Sequence, residues 1–232
     1  DSLGNALRKI RPIVVMDEGQ KATSDLAYDT LYGFNPIFVL ELTATPKDVA
    51  ARNGADPRPA RYANLLVEVT GRELHAEDMI KMPLNLDPRQ SADWRGTLTA
   101  ALDRLRTLQD QADAYRAEKG DSGYIRPIML VQVERTGREQ RDGAHIHALD
   151  VKEWLVAAGL DEAEIAIKTA EQNDLNQPEN QDLLSPTNRV RVIVTKAALQ
   201  EGWDCPFAYV LCSLSAASNL SAMTQLVGRI LR

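Results

Sequence analysis

The chain has 232 residues, 44% of them hydrophobic but only 5% aromatic, and carries a formal charge of −6. That length accommodates one large domain or two small ones, with a core built mainly from aliphatic side chains. The acidic balance excludes a generally basic nucleic-acid wrapper while leaving room for a local basic groove.

The apolar run Pro12 to Met16 reads as a buried strand, Lys21 to Tyr32 as a helix and Ile37 to Leu42 as a second strand. This is the alternation of a parallel α/β layer. Leu65 to Val69 is a further short β-like run, after a turn-rich stretch from Asn53 to Pro59. Between Asp87 and Gly120, Trp94, Leu98, Leu102, Leu105, Leu108, Ala112 and Tyr115 recur at spacings of three and four, which predicts a long helix. Ser91 offers its cap and Gly120 its stop. Ile128 to Val133 reads as a strand and Ala148 to Leu160 as a helix closed near Gly159. Ile165 to Lys168, Val190 to Thr195 and Ala208 to Leu214 are three more strands, and a helix follows from about Ser221. Asn173 to Asn188 is polar and contains proline, so a surface loop is expected. Two α/β units joined by a helical region is the expected organisation.

No apolar run approaches the roughly 20 residues of a membrane span, and Asp1 to Lys9 lacks the apolar centre of a signal peptide. Cys205 and Cys212 are the only cysteines, and their surroundings are apolar. Two reduced, buried thiols of a cytoplasmic protein are expected, with no membrane partner.

Two acidic boxes terminate predicted strands. Asp17-Glu18-Gly19-Gln20 follows Ile13-Val14-Val15-Met16, and Glu201-Gly202-Trp203-Asp204 comes after Val190 to Val194. With a nucleotide present, the first carboxylate of a strand–Asp–Glu junction can hold Mg²⁺ through water, while the second orients and deprotonates an attacking water. A solvated acidic turn capping the next helix is the plain alternative. Thr43-Ala44-Thr45-Pro46 sits at the end of the next predicted strand, where small hydroxyl residues before proline make a tight junction.

These boxes resemble those of superfamily 2 helicases and translocases, of the DEAD/DEAH-like class. Asp17-Glu18-Gly19-Gln20 is similar to the Walker B box and Thr43-Ala44-Thr45-Pro46 to motif III. Val194-Thr195-Lys196 through Asp204 is similar to motif V, and Gln225-Leu226-Val227-Gly228-Arg229-Ile230-Leu231-Arg232 to motif VI. The Glu201 to Ala208 stretch and the Gln225 to Arg229 form of motif VI resemble the restriction (Res) subunit of type III restriction enzymes. The likeness runs from Ile13 to Arg232 and is weakest between Asn53 and Gly123.

The resemblance implies an α/β fold of two RecA-like lobes, with parallel sheets flanked by helices. Residues 1–75 would be the later part of the first lobe, 76–123 a helical linker or insertion, and 124–232 the second lobe. It implies ATP and Mg²⁺ as cofactors, DNA (duplex for a restriction subunit) as track, and a modification methyltransferase subunit as partner. Asp17 would hold Mg²⁺ through water, Glu18 would be the general base, and Gln20 would link the ATP site to the second lobe. Thr43 and Thr45 would couple nucleotide state to DNA contact, and Thr195 would touch a DNA phosphate. Gly202 and Asp204 would lie near the ribose, while Gln225, Arg229 and Arg232 would reach the γ-phosphate. Arginine suits that last task on chemical grounds, since its planar fork matches phosphate oxygens.

The sequence departs from the family in having no G-x-x-x-x-G-K-[ST] phosphate loop and no nuclease signature. The expectation is a first lobe completed upstream of Asp1, cleavage chemistry beyond Arg232, and little ATP hydrolysis by the isolated chain. Two other readings remain open: a non-catalytic helicase-like module that binds nucleic acid or protein, and an RNA-directed helicase. His145-x-His147 could offer two metal ligands, although a polar loop suits them better. The Arg135 to Arg141 cluster reads equally as a phosphate contact or a solvated loop.

Overall fold

The computed structural model describes residues 2–19, 22, 24–89, 93–137, 141–169, 171–196, 205–215, 227–228 and 230–231. The chain is an α/β protein with parallel sheets flanked by helices, an arrangement consistent with a RecA-like fold. It divides into two compact units, Asp1–Val69 and Thr70–Arg232. No helix among the described residues is long and apolar enough to cross a membrane.

In the first unit α1 (Leu3–Ile10) precedes β1 (Ile13–Asp17), α2 (Asp25–Gly33) and β2 (Phe38–Leu42). Ser24 caps α2 by accepting the Ala27 N–H, and Asp25 places a negative charge on the positive end of that helix. The helix therefore starts later than periodicity predicts. β1 and β2 pair in parallel, Ile13 opposite Phe38 through to Asp17 opposite Leu42. A ribbon then folds back by antiparallel bridges, Val49 with Arg61 and Arg52 with Arg58. Asp25 takes Arg52 at 2.8 Å and Arg61 at 3.3 Å, and Asp29 takes the Arg58 fork at 2.9 and 3.0 Å. Leu65 to Val69 forms no strand: Leu66 and Val67 are more than two-thirds exposed, with no strand among the described residues to pair them.

The second unit holds the core. It contains α3 (Gly71–Ala76), α4 (Trp94–Lys119), β3 (Ile128–Gln132), α5 (Ala148–Ala157), β4 (Ile165–Lys168), β5 (Val192–Thr195) and β6 (Ala208–Ser213). α4 is capped by Asp93, whose carboxylate accepts the Arg95 N–H, and ends at Gly120 with φ +71°, a conformation glycine adopts without a Cβ penalty. Ser91 lies outside the described residues, and Asp93 takes the capping role because it immediately precedes the first helical turn. Leu98, Leu102, Leu105 and Ala112 are buried along one stripe of α4, whereas Tyr115 is exposed.

The four strands are all parallel and run in the order β4-β5-β3-β6. Both faces are covered, as all-parallel sheets require. One face presents Met129, Val131, Ile165, Ile167, Val192, Val194, Val210 and Cys212, packed with the apolar stripes of α4 and α5. The opposite face presents Ile128, Leu130, Ala166, Ile193 and Ala208, covered by Val190, Cys205 and Ile230. Val227, Gly228, Ile230 and Leu231 are helical, which fits the final helix expected there.

A buried arginine closes the amino-terminal side of this sheet. Arg126, just before β3, is 7% exposed and has no carboxylate partner among the described residues. Its guanidinium donates to the carbonyls of Val190 (3.1 Å), Ser185 (3.0 Å), Leu183 and Asn188, and to Asn188 Oδ1 at 3.1 Å. The planar fork matches several carbonyls at once, which a lysine ammonium does not. The Asn173 to Asn188 segment is accordingly more than a surface loop, since Asn188 is buried and clamped into the lead-in of β5.

Removing the fork strands several buried carbonyls. We expect Arg126→Ala to cost about 3 kcal/mol or more, at the upper end of single-residue effects. Arg126→Lys recovers only part of that. Urea unfolding followed by tryptophan fluorescence reads the loss, because Trp94 and Trp154 meet edge-on at 6.5 Å beside this core.

Candidate nucleotide and nucleic-acid site

The first-unit motifs converge through backbone register. Asp17 ends β1, and its partner Leu42 ends β2, so Asp17-Glu18-Gly19 and Thr43-Ala44-Thr45 leave adjacent parallel strands at the same edge. Ligand sites in parallel α/β sheets lie outside this carboxyl edge. Asp17 Oδ1 accepts the Glu18 N–H at 3.0 Å, which tethers the two acidic residues. Glu18 adopts φ +56°, a left-handed conformation that costs a non-glycine residue about 1–2 kcal/mol. Gly19 is buried against Glu41: a Cβ here would lie 3.0 Å from the Glu41 side chain. A side chain at position 19 would require the Glu41 side chain or the turn to give by a few tenths of an ångström.

Thr43 Oγ1 accepts the Thr45 N–H at 3.1 Å, forming a hydroxyl-closed turn at the end of β2. Thr45 Oγ1 is enclosed yet has no hydrogen-bond partner among the described residues. Enclosed hydroxyls normally have one.

In the second unit Thr195 ends β5, is 3% exposed, and accepts the Val133 N–H on its carbonyl at 2.9 Å. It belongs to a rung that sequence reasoning missed. Lys168 ends β4, Gln132 ends β3 and Ser213 ends β6, and register sets Lys168 beside Thr195, Thr195 beside Gln132, and Gln132 beside Ser213. The sheet is apolar until its last row, which is polar on every strand. The signal was in the sequence: each of the four apolar runs, Ile-Met-Leu-Val-Gln, Ile-Ala-Ile-Lys, Val-Ile-Val-Thr and Tyr-Val-Leu-Cys-Ser, ends on a polar residue.

Gln20, Gly202, Asp204, Gln225, Arg229 and Arg232 lie outside the described residues. Among the described residues no group of three or more His, Cys, Asp or Glu side chains is placed to hold a metal ion by itself. His145 and His147 do not converge on a shared ligand. His147 is fully buried, caps α5 by accepting the Leu149 N–H on Nδ1, and turns Nε2 to the Gly137 carbonyl at 3.0 Å. His145 instead pairs with Asp142 at 2.7 Å, and the His145 backbone N–H, followed by its imidazole, holds the Asp142 carboxyl down at about 2. Arg141 is engaged by Asp150 (2.7 Å) and Glu153 (2.6 Å) of α5, so its charge is spent locally. A 540 Å³ recess lies beside the start of α5, lined by Thr136, Leu149, Ile167, Thr169 and Gln172 among others. None of the motif residues lines it.

No protein-family model matches the chain, and no curated protein matches it.

Cys205 and Cys212 are free and buried on opposite faces of the second sheet. Burial raises both thiols, Cys212 to about 12, which keeps them protonated and unreactive at neutral pH. A thiol-reactive disulfide reagent should therefore label neither in the native chain at neutral pH and both after urea unfolding. Rapid native labelling of Cys205 would mean that the face covered by Ile230 opens.

Proposed function

We propose that this chain is part of an ATP-dependent nucleic-acid motor resembling the Res subunit of type III restriction enzymes, with duplex DNA as its track and a methyltransferase subunit as partner. The observation that carries the reading is the parallel register that ends β1 at Asp17 beside the end of β2 at Leu42. It brings the acidic pair and the Thr-Ala-Thr-Pro turn to one edge, where a coupled ATPase needs its hydrolytic carboxylate and its conformational sensor together.

In this reading Glu18 takes the proton of the attacking water. Its left-handed backbone supports that role, because strained conformations outside glycine concentrate at functional positions. Among the described residues three other non-glycine positions share positive φ, so strain supports the assignment only together with the motif. Asp17 and Glu18 supply the one or two carboxylates that Mg²⁺ takes when substrate phosphates and water complete its octahedron. The ion, when bound with ATP, would neutralise charge on the phosphate oxygens. The Thr43–Thr45 turn, with an enclosed hydroxyl awaiting a partner, is suited to change its bonding when the nucleotide state changes. Arg229 and Arg232, three apart in the sequence, would reach the γ-phosphate.

Glu18→Gln preserves shape and removes the base. In the intact polypeptide we expect it to lower DNA-stimulated phosphate release by about 10²–10⁴-fold, the range a positioned general base contributes. Phosphate release that survives the substitution, or a wild-type protein whose release does not respond to DNA or RNA, would sink the reading and favour a binding module. A response to RNA with none to DNA would turn it towards an RNA-directed motor.

A further inference from the structure

We infer that Lys81 is a positioning residue for the arginine pair Arg229 and Arg232: it clamps the main chain beside both arginines to β6, the outer strand of the four-stranded sheet. The catalytic consequence rests on the motor reading above, while the clamp itself stands on geometry. Lys81 lies in the 76–123 stretch expected to be a linker or insertion, and no motif includes it.

Despite that position, Lys81 is bonded to residues far along the chain. Its Nζ donates to the Ala208 carbonyl at 2.9 Å and to the Ile230 carbonyl at 2.8 Å, 127 and 149 positions away. Its backbone N–H donates to the Leu231 carbonyl. The ammonium also lies 4.7 Å from the centre of the Tyr209 ring, within reach of a cation–π contact. One residue therefore gathers three main-chain carbonyls, two of them consecutive in the final helical stretch. A compact ammonium with three donors on a flexible stem suits acceptors that belong to separate elements.

What the clamp adds is orientation. β6 is the last strand of the order β4-β5-β3-β6, and among the described residues no further strand pairs with it. Ile230 is 7% exposed and packs its side chain with Ile128, Leu130 and Ala208 on one face of the sheet. That apolar contact fixes one point of the helical stretch and leaves it able to tilt about that point. Lys81 fixes two more, on the Ile230 and Leu231 carbonyls. Arg229 and Arg232 are the immediate chain neighbours of these two residues. Holding the two carbonyls restricts where the neighbouring side chains can reach, and a misplacement of about 1 Å at a reacting centre costs about 10²-fold in rate.

Lys81 is itself presented by a folded segment. Thr70 and Glu73 form a reciprocal capping box at the start of α3, with the Thr70 N–H on Glu73 Oε2 at 2.7 Å and the Glu73 N–H on Thr70 Oγ1 at 3.3 Å. At the other end the Met79 N–H returns to the Leu74 carbonyl at 2.9 Å, two residues before Lys81. The clamp is therefore tied to a capped helical turn on one side and to the packed sheet on the other, which is the support a positioning residue needs.

The test joins DNA-stimulated phosphate release by the intact polypeptide to hydrogen exchange of the 232-residue chain. Lys81→Met keeps the stem and removes the donors. It should lower kcat by about 10–100-fold and leave KM for ATP within about threefold, because placement is lost and binding is not. Lys81→Arg should recover part of that loss. In an Arg229→Ala background the same Lys81→Met change should cost much less than in the wild type, since a residue that acts through the arginines then has less to position. In the chain, Lys81→Met should speed exchange over residues 221–232 about tenfold and leave β3 and β5 as protected as before. Circular dichroism verifies folding, and Lys81→Gln, with an amide donor and no charge, replaces any Lys81→Met that fails to fold. Unchanged exchange over 221–232 overturns the clamp. An unchanged kcat, or a loss equally large with and without Arg229, overturns the positioning role. A working motor indifferent to Lys81→Met removes only that role. A wild-type polypeptide that releases no phosphate removes the motor and the role together, and accelerated exchange in Lys81→Met then upholds the clamp alone.

Discussion

Everything in the second unit follows from burying a parallel sheet on both of its faces. Such a sheet cannot face water, so each strand must be apolar on every residue rather than on alternate ones. β5 meets this with all four residues buried, and β3 with four of its five. The helices are recruited by the same requirement. α4 lays Leu98, Leu102 and Leu105 on one face together with Val151 and Leu155 of α5. The opposite face is left to shorter segments and to the helical residue Ile230. Because the covering elements must also satisfy their own backbone, polar groups enter the interior only where they bond it, as Arg126 and His147 do.

This constraint explains what was legible in the sequence. Strands buried on both faces read as continuous apolar runs, so β3 to β6 stood out to within a residue or two. α4 was legible from its period, since a three-and-four repeat over 26 residues has no competing interpretation. Its start was not, because Ser91 and Asp93 are equally good caps on paper and the geometry of the first turn decides between them. Leu65 to Val69 has the composition of a strand without a partner edge, and pairing is a property of the fold rather than of the segment. The clamp of Arg126 was invisible for a related reason. Its acceptors are main-chain carbonyls about sixty positions away, and no side-chain pattern marks a carbonyl.

The candidate site divides along the same line. Motif spacing identified Asp17, Glu18, Thr43, Thr45 and Thr195 by type, and the register of two short strands then places the first four at one edge. In the first unit, however, little besides the turn is enclosed. Ile13 and Val15 are more than half exposed, and among the described residues of this unit Gly19 alone is buried. The precision of the acidic turn therefore comes from local devices: the Asp17–Glu18 tether, the close approach of Gly19 to Glu41, and the hydroxyl turn at Thr43. None of these depends on a deep core.

The second unit builds its edge the opposite way. There the core comes first, and polarity appears at the last residue of each strand, at Lys168, Gln132 and Ser213, which are partly exposed, and at Thr195, which is buried. A single polar residue ending a strand needs no explanation, since strand ends meet water. Here four are aligned on one face, with the Ser213 hydroxyl on the Gln132 amide oxygen and, among the described residues, no carboxylate on Lys168. Rigid strands hold such donors more firmly than a loop could, because each is fixed by the ladder bonds of its neighbours and by the buried residues before it. The alternation that drives Leu130 and Ile193 into the interior sets Gln132 and Thr195 on the same face one step further along, with Thr195 still buried and Gln132 partly so.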